Sequence, residues 1–255
     1  MLAGVEFEIS ADFGIFRMPY NQNPSLTFNF IPKSSALGII GAVIGLNGYD
    51  NGSGNYAKDD NFITSLSNFK LAIKPELASH RGKPVPFTKS LIYYQNYHGY
   101  GNEGEALLLY EQVLLKPKYT ITVISEKTNK YFESFRNNLK SRNIIFRPYL
   151  GKNEFLANIK LKNYYEKVEE FRPNNNEPFE CDGIFSMANE YISPIKNDER
   201  GIPEFLMIEN YPYTLDEYQR YVTKNFEYKI GKLYKEEADR IGRFYQVAEK
   251  IIYFF

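Results

Sequence analysis

The 255-residue sequence has no tryptophan, one cysteine and two histidines. Because Cys181 is alone, the chain cannot form an internal disulfide or a cysteine-based metal site. His80 and His98 are too few for a histidine-rich metal cluster, so we expect no metal and no other cofactor. The first ten residues alternate like a β-strand and lack the charged and apolar segments of a signal peptide, which predicts a cytoplasmic protein.

Long apolar runs are also missing. The apolar run at residues 36–46 is far shorter than the roughly 20 residues that cross a bilayer, so we expect no membrane contact. The phosphate-binding motif GxxxxGK[ST] does not occur in the sequence. A nucleotide-binding loop of this kind is therefore not expected, and we also expect no small-molecule substrate.

The charges are unevenly distributed, although 31 basic and 31 acidic residues give a net charge of zero. Residues 61–160 hold 15 basic and 7 acidic residues, a net charge of +8, whereas residues 1–60 carry −3 and residues 161–255 carry −5. A basic middle between acidic ends is typical of a protein with one surface facing a polyanion. Ordinary proteins also show such a distribution by chance, and the acidic ends are equally suited to protein partners.

The most distinctive segment is NPSLTFNFIPKSSALGIIGAVIGLNG, at residues 23–48. It predicts a strand that stops at Pro32, a short turn, and a helix that is apolar on every side. Ser34 or Ser35 is expected to cap the first helical turn. The turn at Lys33 and Ser34 is a candidate anion site, because the first N–H groups of a helix favour negative charge.

The predicted helix contains three glycines on one face, Gly38, Gly41 and Gly45. Each interior glycine costs about 1 kcal/mol relative to alanine. We therefore expect another backbone to approach this face closely. A tightly packed core helix without a further role is the plainer interpretation.

Strand and helix patterns alternate through the first 160 residues. Strands are predicted at residues 4–17, 26–31, 69–77, 107–124, 144–147 and 155–161, with a break at Pro117 in the fourth of them. A helix is predicted at 128–142, and long loops at 49–61 and 79–104. With the glycine helix, this order matches the βαββαβ pattern of a ferredoxin-like unit.

A polar segment at residues 166–180, with a Pro-Asn-Asn-Asn break, indicates a boundary. We expect a ferredoxin-like domain at residues 1–165, with an inserted loop around 79–104, and a smaller, mostly β region at residues 166–255. Within that region, short strands are predicted at 183–187, 204–209 and 227–230, and residues 233–255 have mixed helical and strand character.

Residues 79–100, SHRGKPVPFTKSLIYYQNYHGY, combine basic and aromatic side chains. Cations bind the phosphates of single-stranded RNA, and aromatic rings stack on its bases. The candidate RNA-binding residues of this tract are Arg81, Lys83, Lys89, Tyr93, Tyr94 and Tyr97. A disordered or core-packing aromatic loop is the alternative interpretation.

Three pieces of the sequence resemble one known family. They are the strand at residues 5–17, SLTFNFIPKSSALGIIGAVIGL at residues 25–46, and RPYLGKNEFLANI at residues 147–159. With these pieces, in this order, the chain resembles the type I-B-like CRISPR-associated protein 5 family of the RAMP superfamily. That family supplies one subunit of Cascade surveillance complexes in antiviral defence.

The resemblance implies an α+β fold: a ferredoxin-like (RRM-like) domain with an extended thumb-like hairpin that holds the 5′ handle of the guide RNA. It also implies three partners, namely the guide RNA, the Cascade backbone subunit and the large subunit. Further candidate RNA-binding residues are then Arg17, Lys33, Ser34, Arg147 and Lys152, and a solubilising surface role is an equal alternative for Lys152. Gly151, in the Leu-Gly-Lys-Asn turn, joins Gly38, Gly41 and Gly45 as a structural glycine.

Three functions are therefore open. We favour a non-catalytic subunit that binds and caps the 5′ handle. The rival is a metal-independent endoribonuclease that processes repeat RNA, as type I-C family members do, with His98 or His80 as general base. A scaffold subunit that binds only protein is the third.

Overall fold

The computed structural model describes residues 1–19, 23–48, 61–81, 83–96, 107–174, 177–181, 183–186, 205–215, 221–230 and 232–255. Within this part of the chain the helices are Lys33–Ile44 (α1), Phe62–Ser65 (α2), Lys130–Ser141 (α3) and Lys235–Ile241 (α4). The strands are Leu2–Ser10 (β1), Phe13–Gly14 (β2), Lys70–Pro75 (β3), Ala78–His80 (β4), Lys83–Val85 (β5), Lys89–Asn96 (β6), Leu107–Leu115 (β7), Lys118–Glu126 (β8), Asn158–Phe171 (β9), Phe179–Glu180 (β10), Gly183–Ser186 (β11), Phe205–Leu215 (β12), Tyr221–Ile230 (β13), Lys232–Leu233 (β14), Phe244–Val247 (β15) and Lys250–Tyr253 (β16).

A six-stranded sheet with the order β16-β15-β9-β1-β8-β3 organises the molecule. β1 lies between β8 and β9 and is antiparallel to both, with Leu2 opposite Glu126 and Ser10 opposite Lys118 in its register with β8. The chain between β1 and β3 contains α1, and α3 joins β8 to β9. Helices and an antiparallel sheet thus share one structure, and the predicted α+β class is confirmed.

One face of β1 carries the core. Val5, Phe7 and Ile9 alternate along the strand and are all fully buried. The helices α1 and α3 cover this face, and the edge of the Phe7 ring meets Phe135 of α3 with ring centres 5.3 Å apart. Burial of each such side chain stabilises the fold by about 1.5–3 kcal/mol, so this face anchors the helices to the sheet.

The C-terminal hairpin of β15 and β16 extends the sheet towards its opposite edge. The N–H of Phe255 donates to the carbonyl of Leu71 at 3.0 Å, and the N–H of Leu71 donates to the carbonyl of Phe255 at 3.1 Å. These bonds join the end of the hairpin segment to β3, so the sheet is nearly a closed barrel. A second apolar cluster, with Ile124, Val168 and Val247, fills the face opposite to the helices.

The C-terminal region packs on the segment before α1. Strands β11, β13 and β12 form a three-stranded sheet. Its Tyr211 ring lies 4.9 Å from Phe28, and its Tyr228 ring lies 5.2 Å from Phe30. β9 spans Asn158–Phe171 and therefore crosses the boundary predicted after residue 165. The division into residues 1–165 and 166–255 stays a prediction.

The strand predicted at residues 26–31 is not formed. The N–H groups of Asn29 and Phe30 donate to side chains, at 2.9 Å to the Glu209 carboxylate and at 3.1 Å to the Tyr211 hydroxyl. Because these donors are already satisfied by distant side chains, they do not enter a strand ladder. The predicted strand at this position is therefore wrong.

The strand predicted at residues 144–147 is also wrong. The N–H of Ile145 donates to Val43 at 3.3 Å, and the N–H of Phe146 donates to Ala42 at 2.9 Å. Both acceptors are carbonyls in the last turn of α1, which have no partner within the helix. The segment therefore closes the end of α1 instead of pairing with a strand.

The long loop predicted at residues 79–104 contains strands instead. β4 and β5 form a short hairpin, and β6 pairs antiparallel with β7 along its whole length. Ile92, Tyr93 and Tyr94 have high strand propensity, which outweighs the turn-forming residues around them. Residues 97–106 lie outside the described part of the chain. The break predicted at Pro117 separates β7 from β8.

The ends of α1 differ from the prediction. Pro32 occupies the N-cap position and no side chain caps the helix, so Ser34 and Ser35 lie inside the first turn and the predicted serine cap is wrong. At the other end, Gly45 is the C-cap in a left-handed conformation with φ of 77°. Glycine adopts this conformation without strain, so Gly45 ends the helix rather than lining its face.

The glycine face of α1 packs against side chains, not against another backbone. A Cβ added at Gly41 would lie 2.7 Å from the Cβ of Phe62 in α2, and one at Gly38 would lie 3.6 Å from the ring of Phe62. A Cβ at Gly45 would lie 2.9 Å from Ile145. The expected approach of another backbone is therefore wrong: the side chains of Phe62 and Ile145 lie against these glycines instead.

We predict that Gly41→Ala destabilises the protein by about 1–3 kcal/mol, because the new methyl group would overlap Phe62. Gly38→Ala is the matched control: its methyl group has room for an ordinary contact. Alanine favours a helix interior by about 1 kcal/mol over glycine, so the control should be stabilised. Urea unfolding measures both variants, and equal effects at the two positions would contradict the packing described.

Candidate functional site

Two basic side chains converge on one buried carboxylate. Arg17 bonds through its guanidinium to Oε1 of Glu111, and Nζ of Lys152 lies 2.8 Å from Oε2 of the same residue. Only 2% of the Glu111 side chain is exposed, whereas 54% of Arg17 and 23% of Lys152 are exposed. We call Arg17, Glu111, Lys152 and Tyr94 the Glu111 cluster.

The turn around Gly151 brings Lys152 to Arg17. The N–H of Ile15 donates to Leu150 at 3.0 Å, which fixes the turn beside the segment that leads to Arg17. A Cβ on Gly151 would lie 1.6 Å from the carbonyl oxygen of Ile15, and the residue has φ of 85°. Only glycine allows this approach of two backbones, so Gly151 is required for the position of Lys152.

Aromatic side chains of the hairpin β6–β7 border the cluster. The Tyr94 hydroxyl donates to Oε1 of Glu111 at 3.3 Å, and Nζ of Lys152 lies 4.4 Å from the centre of the Tyr94 ring. Tyr93 projects from the other face of β6, is 71% exposed, and lies 6.2 Å from the Tyr110 ring. The hairpin therefore offers one ring bound into the cluster and one open to solvent.

The charges of the cluster stabilise one another. Burial acts to raise the pKa of the Glu111 carboxyl, but its hydrogen bonds to Lys152 and Arg17 and their charges leave that pKa lowered. Burial acts to lower the pKa of Lys152, and the Glu111 carboxylate more than offsets it. All three groups are charged at neutral pH, so the cluster carries one net positive charge.

This arrangement is suited to binding an anion. The Arg17 guanidinium has five N–H donors, and its exposed part can bond a phosphate while it remains on Glu111. Glu111 is itself shielded from solvent, so an approaching anion meets the cations. The exposed Tyr93 ring can stack on a base.

The other candidates of the hairpin region are dispersed. Nζ of Lys89 donates to the carbonyl of Thr27 at 3.0 Å, and its pKa is lowered by burial. His80 and Arg81 are exposed at the β4–β5 hairpin, Arg147 is exposed after α3, and Lys83 lies in β5. Tyr97 and His98 lie outside the described residues.

Lys33 and Ser34 belong to a different part of the surface. Both lie in the first turn of α1. Nζ of Lys33 lies 4.9 Å from the centre of the Tyr213 ring and 5.9 Å from that of Phe255. The described contacts thus join Arg17, Tyr94 and Lys152 through Glu111, while Lys33 contacts the C-terminal region.

Glu111 is not among the site residues that the sequence predicts. Its signal is a single acidic residue in the apolar strand LLLYEQVLL. A carboxylate in such a strand becomes buried, and burial is costly unless cations or other donors satisfy it. The pattern therefore indicates that basic partners exist, but not which ones.

The described residues contain neither a metal-binding group nor a helix suited to crossing a membrane. Among the described residues, no group of three or more His, Cys, Asp or Glu side chains could hold a metal ion. None of the helices described combines the length and apolar character that crossing a bilayer requires.

We predict that Glu111→Gln destabilises the protein at neutral pH by roughly 1–3 kcal/mol, because two cations lose their shared carboxylate. The folded-state pKa of Glu111 is lowered, so its contribution is present above the ordinary glutamate pKa of about 4.3 and is lost as the pH falls through the folded-state pKa. Urea unfolding across this range should show a weaker acid sensitivity in the variant than in the parent. Glu154→Gln, an exposed carboxylate on the same turn, is the control, and equal behaviour of the two variants would refute the assignment.

The sequence matches no family model and no curated protein. Among solved structures, the chain is similar to one described as a CRISPR RNA-guided surveillance complex, with a TM-score of 0.51 and 13% identity over 89% of this chain and 90% of that chain. A CRISPR protein from Archaeoglobus fulgidus aligns over 98% of this chain and 97% of its own, with a TM-score of 0.46 and 12% identity. The first similarity shows that this chain shares the fold of the surveillance-complex chain over nearly its whole length.

Proposed function

We propose that this chain is a non-catalytic, RNA-binding subunit of a type I CRISPR complex of the Cascade kind. In this role it binds and caps the 5′ handle of the guide RNA, beside a backbone subunit and a large subunit. The observation that carries the proposal is the fold shared with a chain of a CRISPR RNA-guided surveillance complex, over 89% of this chain and 90% of that one.

The topology supports a ferredoxin-like, RRM-like assignment of the N-terminal domain. The elements β1, α1, β3, β8, α3 and β9 follow one another in βαββαβ order, and their strands are arranged β9-β1-β8-β3 in the sheet. The antiparallel β6–β7 pair between β3 and β8 supports the thumb-like hairpin of the proposal.

The Glu111 cluster supplies the chemistry for a single-stranded polyanion. Arg17 and Lys152 are held in place by Glu111 before any ligand arrives, so little side-chain entropy is lost on binding. Phosphate contacts of this kind supply affinity, and a base stacked on Tyr93 would add roughly 1–3 kcal/mol. The basic middle of the chain, with its net charge of +8, provides a wider attractive field.

We predict salt-sensitive binding of repeat-derived single-stranded RNA to the purified protein. If three to five phosphates are neutralised, the log-log plot of affinity against salt should have a slope of roughly −2 to −4. Fluorescence anisotropy of labelled RNA over a salt series measures this slope. An affinity that does not change with salt would refute the proposal.

Substitutions within the cluster test which cations take part. Arg17→Met and Lys152→Met should each weaken RNA binding and make the salt slope shallower by about 0.7 for each phosphate that is no longer neutralised. Lys140→Met is the matched control, because Lys140 is exposed in the last turn of α3, outside the cluster. A control that weakens binding as much as the cluster variants would show that charge alone, not position, matters.

A cleavage assay separates the cap from the endoribonuclease. We expect the parent protein to bind repeat RNA in EDTA without cleaving it. Under the rival hypothesis a general base contributes roughly 100- to 10,000-fold to cleavage, so His80→Ala or His98→Ala would abolish it. If the parent cleaves the RNA and either variant does not, the endoribonuclease hypothesis replaces the cap hypothesis. If the parent neither binds nor cleaves the RNA, the result favours a protein-only scaffold.

A further inference from the structure

Two lysines from distant parts of the sequence meet at one tyrosine ring. Nζ of Lys33, at the start of α1, lies 4.9 Å from the centre of the Tyr213 ring, and Nζ of Lys224, in β13, lies 4.2 Å from the same point. Lys33 is half-buried and Lys224 is exposed. Lys224 is therefore the more accessible of the two lysines.

Tyr213 lies at a β-bulge. In the pairing of β12 with β13, Pro212 lies opposite Thr223 and Thr214 opposite Val222, so Tyr213 has no partner of its own. Such an extra residue bends the strand and re-aims its side chain, and bulges are frequent next to binding sites. The residue at this bulge, Tyr213, is the one whose ring lies against both ammonium groups.

The pair lacks an acidic counter-charge. Among the described residues, no carboxylate forms an ion pair with Lys33 or Lys224, in contrast to the cations of the Glu111 cluster. Burial, together with the charge of Lys224, lowers the pKa of Lys33 to about 8. The Tyr213 ring attracts both ammonium groups but carries no net charge to balance them. Two like charges held together in this way are stabilised by an anion between them.

We propose that Lys33 and Lys224 bind a backbone phosphate of the RNA strand beside the ring of Tyr213. The inference rests on the proposed function and adds a second contact point to it, built by the C-terminal region. Lys33 provides a fixed cation at the base of the site. Lys224 reaches in from solvent and closes on the same phosphate, and Tyr213 orients both side chains.

The test is a double-mutant cycle on RNA affinity. Lys33→Met and Lys224→Met keep an unbranched stem and remove the charge, and each should weaken binding of labelled single-stranded RNA about tenfold. Because both lysines hold one phosphate, the double variant should bind only slightly more weakly than either single variant, and its salt slope should fall by about 0.7 only. Lys224→Arg should retain binding, and Lys140→Met should bind like the parent.

The outcomes separate this inference from the proposed function. A parent that binds RNA and variants that bind equally well would overturn the inference and leave the function intact. If the losses of affinity in the two single variants add fully in the double variant, the two lysines do not bind the same phosphate, and that part of the inference is overturned. Since Lys224 is exposed, Lys224→Met should fold even if Lys33→Met does not, and thermal melting checks both.

Two further arms identify the source of the phosphate. RNA with a 5′-hydroxyl and RNA with a 5′-phosphate should bind equally, because the site takes an internal phosphate, and a preference for the 5′-phosphate would overturn that assignment. If the parent binds no RNA at all, the proposed function fails. The lysine pair can then be tested with inorganic phosphate, compared with chloride at equal ionic strength. Phosphate should raise the melting temperature of the parent but not that of Lys224→Met. If it does not raise the melting temperature of the parent, the inference is overturned.

Discussion

The pairing of β1 with β8 on one edge and β9 on the other is the constraint on which the rest of the structure depends. It places one face of β1 against α1 and α3 and the other inside the nearly closed barrel. It also sets where the chain leaves the sheet, at Ala11, whose N–H donates to Pro117 at 3.2 Å. A slip of one residue would exchange the two faces and move Ile15 and Arg17 away from the turn that carries Lys152.

The two clusters of basic residues differ in how their charge is balanced. In the Glu111 cluster a buried carboxylate holds Arg17 and Lys152, so the protein itself supplies the counter-charge. Lys33 and Lys224 instead contact the Tyr213 ring, which has no net charge. Among the described residues, no carboxylate forms an ion pair with either lysine. Arg17 and Lys33 both lie on the chain between β1 and the end of α1, which links the two clusters to the same core.

Aromatic packing explains how a chain without tryptophan holds its C-terminal strands against the segment before α1. The sequence has 22 tyrosines and 20 phenylalanines, and most of those whose side chains the structure describes are buried or partly buried, as the Phe226 ring is, 5.1 Å from Phe255. The Phe28–Tyr211 and Phe30–Tyr228 contacts continue this packing to the segment before α1. Because offset and edge-to-face rings attract beyond their buried area, these contacts also fix the position of the C-terminal strands.

The sequence by itself determined the α+β class, helix α3 and the break at Pro117, because alternation, helical spacing and a missing N–H act locally. It also indicated β1, but the predicted strand continued to residue 17, whereas β1 ends at Ser10 and Phe13–Gly14 pairs in a different sheet. The resemblance of three sequence segments to a known family also made Arg17 and Lys152 candidates. Only the tertiary structure decided that residues 26–31 and 144–147 are not strands, since their N–H groups bond to side chains and helix carbonyls far away in sequence. It likewise decided which carboxylate meets which cation, because a local pattern shows that a charge needs a partner but only the folded chain supplies one.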